Sequence, residues 1–264
     1  MSEGPAPAGV GPARAAASGA AEGEAESSAR DASCLGDRDG AGLSDREALG
    51  LCQLQTLLES VNGVEAAPVA EFLVSAAERE RLCPLSSPDE ALLVARGDLQ
   101  LGELRVGLFL SAEVLAQLGR GHREPWTARR LAGFCQAAEG VSHFLYLHHR
   151  AQASRPVSLL ELEAQAELDK YLSVLLQLWA SGRRAASTEL RAALFGHWRP
   201  RAGLNAQERE RYRLASVLAS ATAKVLEVRY VLAGRLEALL REVRRLYRLG
   251  GGEKLSSLAQ GLAA

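Results

Sequence analysis

Leu218, Val225, Leu232, Leu239 and Leu246 recur every seven residues, and Leu226, Leu236, Leu240, Val243 and Tyr247 widen the stripe. A repeat of seven held over four intervals lies close to two turns of an α-helix. It therefore predicts an amphipathic helical region of about 40 residues opening at Asn205, with Gly234 as the place for a kink. Such a stripe has to be covered. The cover is either other helices of the same chain or a second protein surface, and those five positions are the candidate interface.

The rest of the chain supplies helices to pack against it. Ser44-Asp45-Arg46-Glu47 and Ser158-Leu159-Leu160-Glu161 have the capping-box form, in which Ser and Glu side chains satisfy each other's orphan backbone amides. The first opens a helix with Leu51, Leu54, Leu58 and Val61 on one face, ended by Asn62-Gly63. A short helix is expected over Pro68–Arg81, and another behind Ser111 at Ala112–Leu118. Thr127 caps a helix running from Ala128 to about His149. Pro156 breaks the chain, and the next helix runs from Ser158 to Ala180. So short a connection makes these two antiparallel neighbours. Ser181–Arg184 reads as a linker, and a short helix follows at Thr188–Phe195.

Between Asp89 and Leu110 the period changes to two. Leu104, Val106, Leu108 and Leu110 alternate with Arg105, Gly107 and Phe109, and Gly97-Asp98 is a turn signal. This predicts one β-hairpin, with room for a third short strand at Leu99–Leu101. Two or three strands need helices to lie on. The expected fold is mainly α: a helical bundle with a small inserted β-hairpin.

Composition sets the remaining bounds. Apolar residues are 47% of the 264 and aromatics only 5%, so the core must be built chiefly of Leu, Val and Ala. Residues 1–43 carry almost no large apolar side chain, cannot offset their ordering entropy, and are expected to form a disordered acidic tail of net charge −4. Residues 44–126 hold the first helices and hairpin. Residues 127–249 hold the long-helix bundle, packed with the preceding segment as one domain, and 250–264 form a flexible tail in which Gly250–Gly252 terminates a helix and a short helix or disorder follows. The whole-chain charge of −1 offers no field for nucleic acid. Arg229 to Lys254 is locally basic, but Glu237 and Glu242 interleave with the arginines and argue for a solvated face. No apolar run approaches the ~20 residues that span a bilayer. Four scattered cysteines without a C-x-x-C pair point to reduced thiols, and with no secretory signal the expected location is the cytoplasm.

One constellation could carry chemistry. Glu139 and His143 stand four apart on one helix, Glu163 and Glu167 four apart on its antiparallel neighbour. Three carboxylates and an imidazole suit a divalent transition metal such as iron, manganese or zinc. The dinuclear pattern of helical bundles, however, uses Glu-x-x-His twice, and this chain has one Glu–His pair at the wrong spacing. Lys170, three beyond Glu167, offers a plain ion-pair alternative. Phosphate-binding glycine loops, nucleophile elbows and the His-Glu-x-x-His zinc motif are all missing from the chain. The leading expectation is a non-enzymatic cytoplasmic protein acting through protein–protein contact or self-association, as an adaptor, regulator or scaffold. The alternative is a metal-dependent enzyme using Glu139, His143, Glu163 and Glu167.

Overall fold

The computed structural model describes residues 42–83, 89–96, 104–119, 126–196 and 203–262. Residues 1–41 of the expected tail, the Gly97-Asp98 turn and the third strand at Leu99–Leu101 lie outside them.

Local chemistry sets each start. Helix α1 (Asp45–Asn62) opens with the expected box: Ser44 Oγ accepts from the Glu47 amide at 3.4 Å and Glu47 accepts from the Ser44 amide at 2.9 Å. It ends at Gly63, whose φ of 66° is the left-handed conformation that glycine adopts without a Cβ penalty. The single helix expected over Pro68–Arg81 is instead a 3-10 turn, Val69–Phe72, followed by helix α2 (Ala76–Leu82). Ser75 explains the break, because it forms a capping box of its own with Glu78.

Strands β1 (Glu90–Arg96) and β2 (Leu104–Leu110) pair antiparallel, from Glu90 opposite Leu110 to Arg96 opposite Leu104. The Val74 amide donates to Leu108 O at 2.9 Å, so residues 73–74 run beside β2. Helix α3 (Ala112–Leu118) follows directly.

Helices α4 (Ala128–Gln152) and α5 (Leu159–Ala180) form the central pair. Glu139 meets Lys170, Ser142 meets Asp169, and Tyr146 meets Glu161. Numbers that rise on one helix as they fall on the other show that the two are antiparallel. The hairpin lies on α4, and α7 (Ala206–Leu226) lies along α5 beside the short α6 (Ser187–Phe195). One contiguous apolar cluster joins α1, the hairpin and all the long helices, with Leu51, Leu108, Val141, Leu172 and Leu239 among its fully buried members.

The C-terminal region departs from its seven-residue reading through a π turn, while the expected kink falls at Gly234. Helix α7 passes at Leu226 into a π turn, Glu227–Val231, and the chain breaks at Gly234 (φ 69°) before α8 (Leu236–Arg248). A π turn inserts residues into the helical count, so positions on either side no longer share one face. Of the two readings of the C-terminal tail, the short helix is the one that forms. Gly251–Ala259 is helix α9, with Lys254 and Leu258 buried, and Gln260–Leu262 continues it as a 3-10 turn. The triple glycine therefore opens a helix rather than only ending one. Among the described residues there are nine helices and one two-stranded sheet, and no helix is long and apolar enough to cross a membrane.

Gly140 is where hairpin and helix pair meet. A Cβ there would stand 2.8 Å from Leu108 Cδ1 and 3.0 Å from Glu90 Cγ. In an open helix, alanine for glycine gains up to about 1 kcal/mol. At this site the added methyl must displace the buried Leu108 and Glu90 side chains, and Gly140→Ala is expected to lose about 1–3 kcal/mol. Gly252→Ala, with nothing within 4 Å of the new atom, should gain about 0.5 kcal/mol. Thermal melts of the two variants check both signs. A Gly140→Ala protein as stable as the parent would show that the hairpin is not seated there.

Candidate functional site

The four residues proposed as metal ligands are brought to the interface of α4 and α5, but as two separate clusters. Lys170 Nζ stands 3.1 Å from Glu139 Oε2 and 2.8 Å from Glu167 Oε1, occupying the point on which those carboxylates converge. His143 faces elsewhere. Its Nε2 is 3.4 Å from Glu163 Oε2, while its Nδ1 is 3.9 Å from Oε1 of Glu90 on β1. The two carboxylates thus address opposite edges of the imidazole and cannot share one coordination centre with it. Arg211 of α7 lies 4.0 Å from Glu163 Oε1 and completes this second cluster. Among the described residues no group of three or more His, Cys, Asp or Glu side chains is arranged to hold a metal ion. The expected ligand set does not form, because a lysine and the two-sided use of one imidazole divide it.

Electrostatics agree with ion pairing. Burial alone would lower the His143 pKa, but the Glu163 and Glu90 carboxylates outweigh it and raise it to about 10, so the ring is an imidazolium at neutral pH. Glu139 and Glu167 likewise overcome burial and hold the Lys170 ammonium above its usual range. Burial, with some help from the same carboxylates, pushes the Cys135 thiol up to about 12, which makes it a poor nucleophile.

A third polar cluster lies deeper, and spacing along the chain gives no hint of it. Asp169 is fully buried. It accepts from Ser142 Oγ at 2.6 Å, Gln165 Nε2 at 2.9 Å and Asn62 Nδ2 at 3.1 Å. The same Gln165 amide accepts through Oε1 from Lys254 Nζ at 2.6 Å, relaying between the two charges. Lys254 has 0% exposure, and its Nζ lies 4.2 Å from the Tyr146 ring centre and 5.3 Å from that of Tyr247. These rings meet edge to face, 5.1 Å apart. Glu161, besides capping α5, accepts the Gly251 amide at 2.6 Å and so holds the start of α9. Burial lowers the Lys254 pKa to about 7 despite Asp169 and Glu161, and raises that of Asp169 to about 6 despite its three donors. One sequence signal pointed here. Only three of 31 basic residues are lysines, and two of those, Lys170 and Lys254, meet polar partners in the interior. A compact ammonium fits where a guanidinium fork would not.

The proposed leucine interface is mostly internal. Leu218, Leu239 and Leu246 are buried in the chain's own core and Val225 is half-buried, so only Leu232, 54% exposed, is open to a partner. A different strip on α7 is exposed. Val217, Ala221, Lys224 and Val228 follow at helical spacing, Val228 is 60% exposed, and Leu232 continues the strip beyond the π turn. Beside it opens a groove of about 350 Å³ between α6, α7 and the final 3-10 turn, with Phe195, Val217 and Leu262 as apolar lining and Arg191, Arg213 and Lys224 around them. Between residues 183 and 235, the described residues hold nine basic side chains against four acidic.

The two buried cations set opposing pH dependences. Because the His143 pKa is raised from 6.5, its stabilising contribution is complete below about 6.5 and is lost as pH climbs toward about 10. The Lys254 pKa is lowered from 10.5 to about 7, so its burial costs most below about 7, and the cost fades as pH rises to 10.5. Between those values His143→Gln should make the unfolding free energy rise more steeply with pH, and Lys254→Met should make it fall. Urea unfolding at about pH 7 and about pH 10 tests both. Parallel slopes in the two variants would show that neither side chain carries its assigned charge.

Comparison with protein-family models, with curated proteins and with solved structures finds no match.

Proposed function

We propose that this chain is a non-enzymatic, cytoplasmic partner-binding protein, an adaptor, regulator or scaffold, and that the outer face of α7 is its contact surface. The observation that carries this reading is the exposure of Val217, Val228 and Leu232 at helical spacing, with Val217 and Leu262 lining a groove among basic side chains. Contiguous exposed apolar surface rimmed by charge is the mark of an interaction site. Isolated leucines such as Leu49 and Leu159 elsewhere on the surface need no such account.

The chemistry of the partner follows from the face. From Val217 to Leu232 the strip runs roughly 20 Å at 1.5 Å per residue, the length of about four helical turns. An amphipathic helix with an apolar ridge and acidic flanks would seat the ridge along the strip and bring carboxylates to Lys224. A second copy of this chain fits less well, since two basic faces would meet. Nucleic acid fits less well again. Phosphates do not fill an apolar groove, and Arg191 and Arg213 are already paired with Glu227 and Glu210. No observation favours the metal-enzyme alternative over ion pairing.

Photo-crosslinkers placed at Val228 and, as a control, at Leu159 test the reading in extract from the native cell. The expected result is one acidic helical segment captured from position 228 only, with the yield reduced about tenfold by Lys224→Glu while the melting temperature holds. Equal capture from both positions, or capture indifferent to the charge reversal, would sink the proposal.

A further inference from the structure

The polar chamber around Lys254 Nζ is built almost entirely by elements other than the helix that fills it. Asp169 is held by Asn62 of α1, Ser142 of α4 and Gln165 of α5. The ring faces come from Tyr146 of α4 and Tyr247 of α8, and Glu161 of α5 lines the approach. Aromatic faces with a nearby carboxylate and an amide oxygen are what recognises an amine elsewhere in protein chemistry. Helix α9 contributes the occupant alone.

That helix is also lightly attached. It has nine residues, opens on Gly251 in the left-handed region without a side-chain cap, fully buries Lys254 and Leu258, and rests Leu255 and Ala259 half-buried against the core. Its remaining polar ties are the Gly251 amide on Glu161 and the Leu258 carbonyl, which accepts from Thr222 Oγ1 at 3.3 Å. A short helix with little buried apolar surface and a desolvated cation belongs to the part of a fold that opens first.

We propose that the chamber of Tyr146, Tyr247, Gln165 and Asp169 is a primary-amine binding site that the chain occupies in cis with Lys254, which makes α9 a displaceable plug. The ligand class is an unbranched alkylamine, whether a free small amine or the lysine side chain of another polypeptide. Displacing α9 would also withdraw Gly261 and Leu262 from the wall of the α7 groove. That second consequence rests on the protein-contact reading, whereas the amine site does not.

The test is chemical rescue in the full chain. Lys254→Gly empties the chamber, and excess n-butylamine should then raise its melting temperature by about 3 °C, while isosteric n-pentane should not. Lys254→Met, which fills the space with an apolar chain, should not respond to the amine. A parallel measurement needs no variant. In the unmutated protein, hydrogen exchange of residues 251–259 should accelerate about tenfold in n-butylamine, with α4 and α5 unchanged. Acceleration by N-acetyl-lysine amide as well would assign the site to lysine side chains, and acceleration by butylamine alone would assign it to free amines. Equal rescue by pentane, or no response of either protein to amine, overturns the proposal. An intact amine response in a protein whose α7 crosslinking has failed would leave this site standing and remove only its link to the groove.

Discussion

Asp169 has no access to water, and four helices are committed to that fact. A carboxylate moved out of water costs several kcal/mol unless donors or a cation replace its hydration. Here α1 supplies Asn62, α4 supplies Ser142, α5 supplies Gln165, and through Gln165 the ammonium of Lys254 on α9 completes the set. Several other buried carboxylates are compensated by cations. Glu90 and Glu163 face His143 and Arg211, Glu139 and Glu167 face Lys170, and Glu227 faces Arg191.

These contacts do something that the apolar core cannot. With 5% aromatic residues, the interior is largely leucine and alanine, whose side chains tolerate many mutual arrangements. A one-turn slide of α5 against α4 would still place apolar side chains on apolar side chains. It would also strand Asp169 without its donors and take Glu163 away from His143. The polar contacts therefore penalise wrong registers that hydrophobic burial alone would accept. The hairpin is placed by the same means: Gly140 lets β1 approach closely enough for Glu90 to reach the imidazole.

What the chain discloses in one dimension follows from which interactions are local. Capping boxes at Ser44, Ser158 and Asn205 close over three residues, and they mark helix starts that the structure keeps. The pairing of Lys170 with Glu167 is local in the same sense and was readable. Glu90 and Lys254 were not, because each reaches its partner across more than fifty positions and neither lies in a periodic pattern with it. Gly250-Gly251-Gly252 misled for a related reason. Glycine ends helices often, and only the distant carboxylate of Glu161, accepting the Gly251 amide, turns this run into a beginning.

The seven-residue stripe shows how a true periodicity can point to the wrong surface. Leu218 and Leu239 are 21 positions apart and both are buried, which a straight helix would explain. The chain between them is not straight. In the π turn Val231 points inward with 0% exposure, and Leu232, the residue on the heptad, is turned to solvent. Glu227 within the same turn accepts from Arg191 Nε at 2.9 Å and from Thr188 Oγ1 at 3.1 Å, fixing α6 against it. The inserted turn thus serves the core through Val231, anchors a neighbour through Glu227, and leaves Val228 and Leu232 outside. π turns cost hydrogen-bond geometry and persist mainly where a fold needs the displacement. In this chain the displacement extends, past the end of α7, the exposed apolar strip that begins at Val217.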